Sequence, residues 1–154
     1  MEKPDICNVE KMKYEPLNNK DMKKLLGLIT ALYFGLASLN AMSYEEARDR
    51  ARFLTDKMAY ELNLNDQQYN DAYEINLDYL MNIRTASDAS SVYLEYRNAD
   101  LRFILYDWQY ALFQAATYFF RPVIWRTSGW FLPVYTIYSP SRFYYSPPRV
   151  YQVY

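Results

Sequence analysis

The chain of 154 residues has no histidine and one cysteine, Cys7. Without imidazole there is no Ser-His or Cys-His nucleophile pair, and without a set of thiols there is neither a disulfide scaffold nor a structural zinc site. Glycine is scarce, three residues in all, and no Gly-rich phosphate loop is present. Acid disappears altogether near the C-terminus: Arg121 to Tyr154 carries four arginines and no Asp or Glu, whereas Met42 to Phe120 carries thirteen acidic and seven basic residues. Carboxylates are plentiful in that first part, but no pattern places two of them in a buried, pKa-shifting environment, so the chain is expected not to be an enzyme and to need no cofactor.

What is present begins with an address. Lys23 and Lys24 precede an apolar run from Leu25 to Leu39 that closes on small residues at Ser38 and Ala41, the parts of a secretory signal peptide. Met22 stands directly before the lysines, so residues 1–21 are expected to lie upstream of the natural start and residues 22–41 to form the signal, cleaved after Ala41. The competing reading is a retained anchor, but about 15 apolar residues fall short of the roughly 20 that span a bilayer as a helix. Cleavage would leave residues 42–154, the length of one domain, with no thiol. No cysteine follows the run where a lipid would be attached, so the expected product is soluble.

Four helices are expected before Pro122. The first opens on Ser43-Tyr44-Glu45-Glu46, a capping box, and sets Ala47, Ala51, Leu54, Met58 and Leu62 on one face, with Glu46/Arg50 and Asp49/Arg52 pairs on the other. The second starts at Leu64-Asn65-Asp66-Gln67-Gln68, where Asn65 caps the free backbone N–H groups, Gln68 reaches back and Leu64 staples against Tyr69; it presents Tyr69, Tyr73, Leu77 and Leu80. Ser87 to Ser91 supplies turn chemistry, after which a third helix gathers Val92, Tyr96, Ala99 and Phe103. The fourth runs from about Asp107 and is apolar nearly all round through Trp108, Leu112, Phe113, Ala116 and Phe119, as befits a buried helix or a contact surface. Its start, Leu105-Tyr106-Asp107-Trp108-Gln109, repeats Leu-x-x-x-Gln, but Tyr106 stands at the capping position and its side chain is expected not to cap. Asp71, Glu74 and Asp78, at helical spacing, read as a solvated face and not as a divalent-metal site.

Beyond Pro122 the composition changes. Trp125, Trp130, Tyr135, Phe143 and Tyr144 are interleaved with arginines and broken by five prolines counting Pro122, which excludes helix and leaves an extended, irregular tail. Three readings stand open: the segment Trp125 to Tyr138 folds back over the apolar fourth helix, the aromatic and cationic side chains sit at a membrane interface, or the tail orders on a client or partner. Interleaved Arg and aromatic residues also suit single-stranded nucleic acid, but an exported protein seldom meets it, and none is expected as a partner.

The paired Leu-x-x-x-Gln starts about forty residues apart, with Arg97 and Leu101 at four-residue intervals before the second, resemble the Spy/CpxP family of periplasmic proteins, whose Leu-Thr-x-x-Gln signature usually occurs twice. Leu64 and Gln68 match the first copy with Asn65 for Thr, and Leu105 and Gln109 match the second with Tyr106 for Thr; the resemblance spans roughly Ser43 to Phe120 and excludes the tail. It implies an all-α helical hairpin or small bundle of about four helices, a homodimer, a periplasmic location, and a stress-responsive, ATP-independent chaperone that holds unfolded protein. Trp108, Phe113 and Phe119, with Trp125 and Trp130 of the tail, are the candidate contacts for a client or partner. The alternative is a non-catalytic envelope protein whose aromatic-basic tail docks onto membrane or a protein. Exposure of Trp108 and Phe113 separates the two.

Overall fold

The structure, a computed structural model, describes residues 18–20, 22–24, 41–127 and 129–152. The chain divides into two units, Met1–Gly35 and Leu36–Tyr154. In the first, the described residues form a short exposed helical stretch closed by Met22 N–H donating to Asn18 O at 3.0 Å. Cys7 and all of the expected signal except Met22 to Lys24 and Ala41 lie outside the described residues.

The second unit is mostly helical. Helix α1 (Tyr44–Leu62) starts where the Ser43 hydroxyl accepts the Glu46 N–H at 3.1 Å. The other half of the expected box is replaced, because the Glu46 carboxylate turns forward and pairs with Arg50 one turn on. The helix ends on Asn63 at φ 50, a left-handed cap that Asn tolerates, and Leu64 N–H closes on Ala59 O at 3.2 Å. That tight exit turns the chain into α2 (Asp66–Asn82), which packs back along α1. Asp88 then folds a loop by accepting the Arg84 and Thr85 N–H groups at 2.9 and 2.7 Å, which holds its carboxyl below the usual range. Ser91 caps α3 (Val92–Ile104), which packs on α2.

Helix α4 (Asp107–Ala115) breaks at Ala116, and one further turn, α5 (Thr117–Phe120), precedes Pro122. The expected single fourth helix is therefore two. The tail also differs from an irregular strand: β1 (Ile124–Arg126) and β2 (Gly129–Phe131) form an antiparallel hairpin in the register Ile124↔Phe131, Trp125↔Trp130 and Arg126↔Gly129. Gly129 takes φ +153 at the start of β2, a backbone conformation that side chains resist. Short 3-10 turns at Pro133–Thr136 and Val150–Gln152 follow.

One core serves helices and tail alike. Leu54, Met58, Leu62, Leu80, Leu101, Phe113 and Phe119 are buried with Leu132 and Val134 of the tail. Helix α3 departs from expectation: Val92, Tyr96, Ala99 and Phe103 face outward, and Leu94, Arg97, Asn98 and Leu101 are the buried set. The apolar pattern alone selected the wrong face because half of the true buried face is polar.

Candidate functional site

Four arrangements of side chains stand out. The first joins the two Leu-x-x-x-Gln starts. Asn65 caps α2 fully, its Oδ1 accepting Gln68 N–H at 2.9 Å while Gln68 Oε1 accepts Asn65 N–H at 3.1 Å. At the second copy the Tyr106 side chain, 58% exposed, makes no cap, and Gln109 Oε1 alone closes the turn on Tyr106 N–H at 2.9 Å. The two glutamines then meet: Gln68 Nε2 donates to Gln109 Oε1 at 2.8 Å, and Gln109 Nε2 donates back at 3.1 Å. Each amide also reaches the end of the helix preceding the other motif, Gln68 to Ile104 O at 2.9 Å and Gln109 to Leu62 O at 3.1 Å. Both amides are buried with their hydrogen bonds made, so the repeat is a reciprocal clasp between two helix-turn-helix units. Its role is architectural.

The second arrangement is Arg97, buried to 2% exposure with no carboxylate among the acceptors of its hydrogen bonds. Nε donates to Asn76 Oδ1 at 2.8 Å, and Nη1 to Asn98 Oδ1 at 2.9 Å and Phe119 O at 3.0 Å. Asn98 Nδ2 adds a bond to Phe120 O at 3.2 Å, so Arg97 and Asn98 together satisfy the carbonyl end of α5. Burial pushes the guanidinium down to about 9, which leaves it charged at neutral pH.

The third arrangement fastens the tail to α1. Asp56 and Lys57 are wholly buried neighbours, with Nζ donating to Asp56 Oδ2 at 2.6 Å. Asp56 also accepts the Tyr144 N–H at 3.0 Å and the Tyr145 N–H at 2.8 Å, while Lys57 donates to Arg142 O. Four rings surround the ammonium, Phe53 at 4.5 Å, Tyr144 at 4.7 Å, Phe143 at 5.1 Å and Tyr138 at 5.6 Å. Below this cage the Glu61 carboxylate accepts the Tyr118 and Tyr138 hydroxyls at 2.7 and 2.6 Å, and Tyr60 stacks on Tyr144 at 4.0 Å. Arg52, expected to pair with Asp49, lies instead over Phe143 at 4.2 Å; Asp49 accepts from Tyr151 OH at 2.9 Å. The tail thus folds back and is fastened to α1 and also to α2, where Tyr69 OH donates to Ser146 O at 3.1 Å and Arg149 N–H to Asn70 Oδ1 at 2.8 Å. Its Pro133–Thr136 turn packs on α5, the end of the expected fourth helix.

The fourth is an uncovered apolar stripe. On α3, Val92 is 43%, Tyr96 63% and Phe103 92% exposed, one above the other at helical spacing. Trp108 at 51% and Leu112 at 49% form a second exposed pair on α4. Isolated exposed apolar residues are ordinary, but an aligned set directly opposite a helix's buried face is a surface that a partner can use.

These arrangements sort the candidate contacts. Trp108 is open, whereas Phe113 and Phe119 are fully buried and closed to any partner without unfolding. Trp125 and Trp130 are half-buried and pack edge to face on the hairpin, 4.8 Å between centroids. Tyr96 and Phe103 are the surface residues that sequence reasoning misplaced; the available signal was a second amphipathic face on α3, through Leu94 and Leu101, that needed Arg97 and Asn98 to be buried. Asp71, Glu74 and Asp78 gather no metal-binding group among the described residues. No helix among the described residues is long and apolar enough to cross a membrane.

Residues 40–102 match a family described only as a domain of unknown function (DUF4890). The match covers α1, α2 and most of α3 and stops before the second Leu-x-x-x-Gln. No curated protein and no solved structure matches the chain.

Proposed function

We propose that the chain is an exported, non-catalytic binding protein of the envelope that holds exposed apolar polypeptide on the outer face of α3 and α4, an ATP-independent chaperone of the kind the Spy/CpxP resemblance implies. The observation that carries this reading is the open stripe of Val92, Tyr96 and Phe103 on α3, together with the exposed Trp108 and Leu112 on α4. Such a protein works by mass action: binding the unfolded chain and not the native one lowers the concentration of the aggregating species with no chemical step. The binding residues shift from those expected, since Phe113 and Phe119 belong to the core and the α3 stripe takes their place.

Removing the tail does not test this reading, because Leu132 and Val134 are core residues. The test is suppression of aggregation of a chemically unfolded client, without ATP, by the intact protein beside Tyr96→Ser/Phe103→Asp, both substitutions at exposed positions. Protection at near-stoichiometric ratio that the double variant loses, with its melting midpoint unchanged, is the expected result. Equal protection by both proteins, or none by either, refutes it.

A second reading, a tail that docks onto an anionic membrane or partner, draws on Arg121, Arg126, Arg142 and Arg149, all exposed on a segment without acid, and on Ile124 at 39% exposure beside them. Sedimentation with anionic vesicles that Arg126→Glu/Arg149→Glu weakens would favour it. The buried Tyr144–Asp56 and Lys57–Arg142 bonds count against a tail released to reach a surface.

A further inference from the structure

The surroundings of the stripe are as one-sided as its centre is apolar. Helix α2 contains Asp66, Asp71, Glu74 and Asp78 and no Lys or Arg, and Glu74 and Asp78 are exposed. Asp78 and Asp100 stand together in the cleft between α2 and α3, where Tyr93 and Tyr96 are also exposed. Arg97, the base that lines the same cleft, turns its donors inward to Asn76, Asn98 and Phe119 O. On the other side of α3, a groove of about 510 Å³ is not similarly acidic: Glu95 lines it together with Arg102 and Arg121. Arg102 is already bound to Asp107 at 2.5 Å. The carboxylates toward α2 have no cationic partner among the described residues.

We propose that the segment taken by this face is cationic as well as apolar: an amphipathic polypeptide stretch whose apolar side lies on Tyr96 and Phe103 and whose Lys or Arg side chains reach Glu74, Asp78 and Asp100. This inference rests on the capture reading above and adds to it the charge of what is captured. An apolar stripe alone does not discriminate among unfolded chains, since burial of apolar surface is non-directional. Carboxylates along one edge supply the discrimination, favouring segments with base and repelling segments with acid. They also orient the captured segment, with its basic edge over α2.

The experiment uses two synthetic amphipathic peptides with the same apolar residues, one with Lys and one with Glu at every polar position, titrated into the intact protein by fluorescence anisotropy. Screened surface pairs each contribute a fraction of a kcal/mol, so three together predict about tenfold tighter binding of the Lys peptide at low salt. That preference is expected to vanish in Glu74→Gln/Asp78→Asn/Asp100→Asn and at about 1 M salt, where the Debye length is about 3 Å. Phe103→Asp is expected to abolish binding of the Glu peptide and to weaken that of the Lys peptide at high salt. Equal affinity for both peptides overturns the inference and leaves the capture reading in place; no binding of either overturns both. Lys-peptide binding unaffected by Phe103→Asp at high salt places the site elsewhere and overturns the inference. Self-association of the protein that Phe103→Asp abolishes would also overturn it, a second copy then being the occupant of the stripe.

Discussion

The outer side of α1 and the outer side of α3 are built from similar material and end differently. Both carry aromatic rings beside charged groups, yet Phe53 and Lys57 are roofed by the tail while Tyr96 and Phe103 stand open. The difference is polar. Asp56 offers a buried carboxylate that takes the Tyr144 and Tyr145 N–H groups, and Glu61 takes two tyrosine hydroxyls, so the tail is fixed at particular atoms. The stripe on α3 has no such acceptor. Aromatic residues supply adhesion to either face, but hydrogen bonds to buried acceptors decide where an aromatic-rich segment settles, because leaving those acceptors unmade costs more than any one ring gains.

The largest way to break the contrast is alkali. Burial holds Tyr73, Tyr79 and Tyr118 up to about 12 and raises Tyr69 and Tyr138 further, with the Glu61 carboxylate adding to the effect at Tyr118 and Tyr138. Below about pH 10 these phenols are protonated in both folded and unfolded chains, and their contribution is whole. Between about 10 and about 12 the unfolded chain binds fewer protons than the folded one, so stability falls as pH rises. Urea midpoints flat from about pH 7 to 9 and dropping steeply beyond about 10 are expected, with tail amides losing hydrogen-exchange protection in the same range. A midpoint at about pH 11 equal to that at neutral pH would contradict the burial of these phenols.

Next in size is Asp56→Ala. It leaves the Lys57 ammonium buried without its carboxylate and two tail N–H groups without an acceptor, a loss of about 3–5 kcal/mol. Increased exchange at Tyr144 and Tyr145, with the α3–α4 end protected as before, would locate the damage at the latch. A stability change below about 1 kcal/mol, the range of exposed ion pairs, would mean that the pair is solvated. The same division can be sharpened within one half of the molecule by comparing two phenylalanines ten residues apart. Phe113→Ala empties a fully buried site and is expected to cost about 3–5 kcal/mol, whereas Phe103→Ala, at 92% exposure, is expected to stay within about 0.5 kcal/mol. Comparable losses at both positions would show that α3 is covered in solution.

Much of this division could be seen in the chain before its fold, though not all of it. Local chemistry was legible where it is self-contained: Ser43 and Asn65 are side chains that bond backbone a turn away, and periodicity placed Ala47, Leu54, Met58 and Leu62 in the core. The face of α3 was not legible, because its burial is decided by Asn76, Phe119 O and Phe120 O, groups that arrive from α2 and α5 and make Arg97 and Asn98 interior residues. The tail failed for the same reason. Proline spacing predicts no helix beyond Pro122, where 3-10 turns are the only helical elements among the described residues, but nothing local announces that Asp56, thirteen residues past a cap, is the acceptor for backbone N–H groups at 144 and 145. Buried polar residues answer to distant partners, and a periodic pattern cannot name them.

The smallest effect separates the two Leu-x-x-x-Gln copies themselves. Asn65 supplies a side-chain acceptor to Gln68 N–H, so Asn65→Ala should lower stability by about 0.5–2 kcal/mol. Tyr106 supplies none, and Tyr106→Ala should fall within about 0.5 kcal/mol, the range of ordinary surface substitutions. Paired urea titrations of the two variants measure the difference directly. Equal losses would mean that the capping position in the second copy does work other than capping, whereas the expected inequality assigns what the copies share to Leu64 and Leu105 in the core and to Gln68 and Gln109 in the clasp. Each glutamine holds the backbone N–H of its own cap residue and a carbonyl at the end of the other unit's helix, so the two starts are anchored alike across the core, and the Asn65 side-chain acceptor is the one bond that the second copy does without.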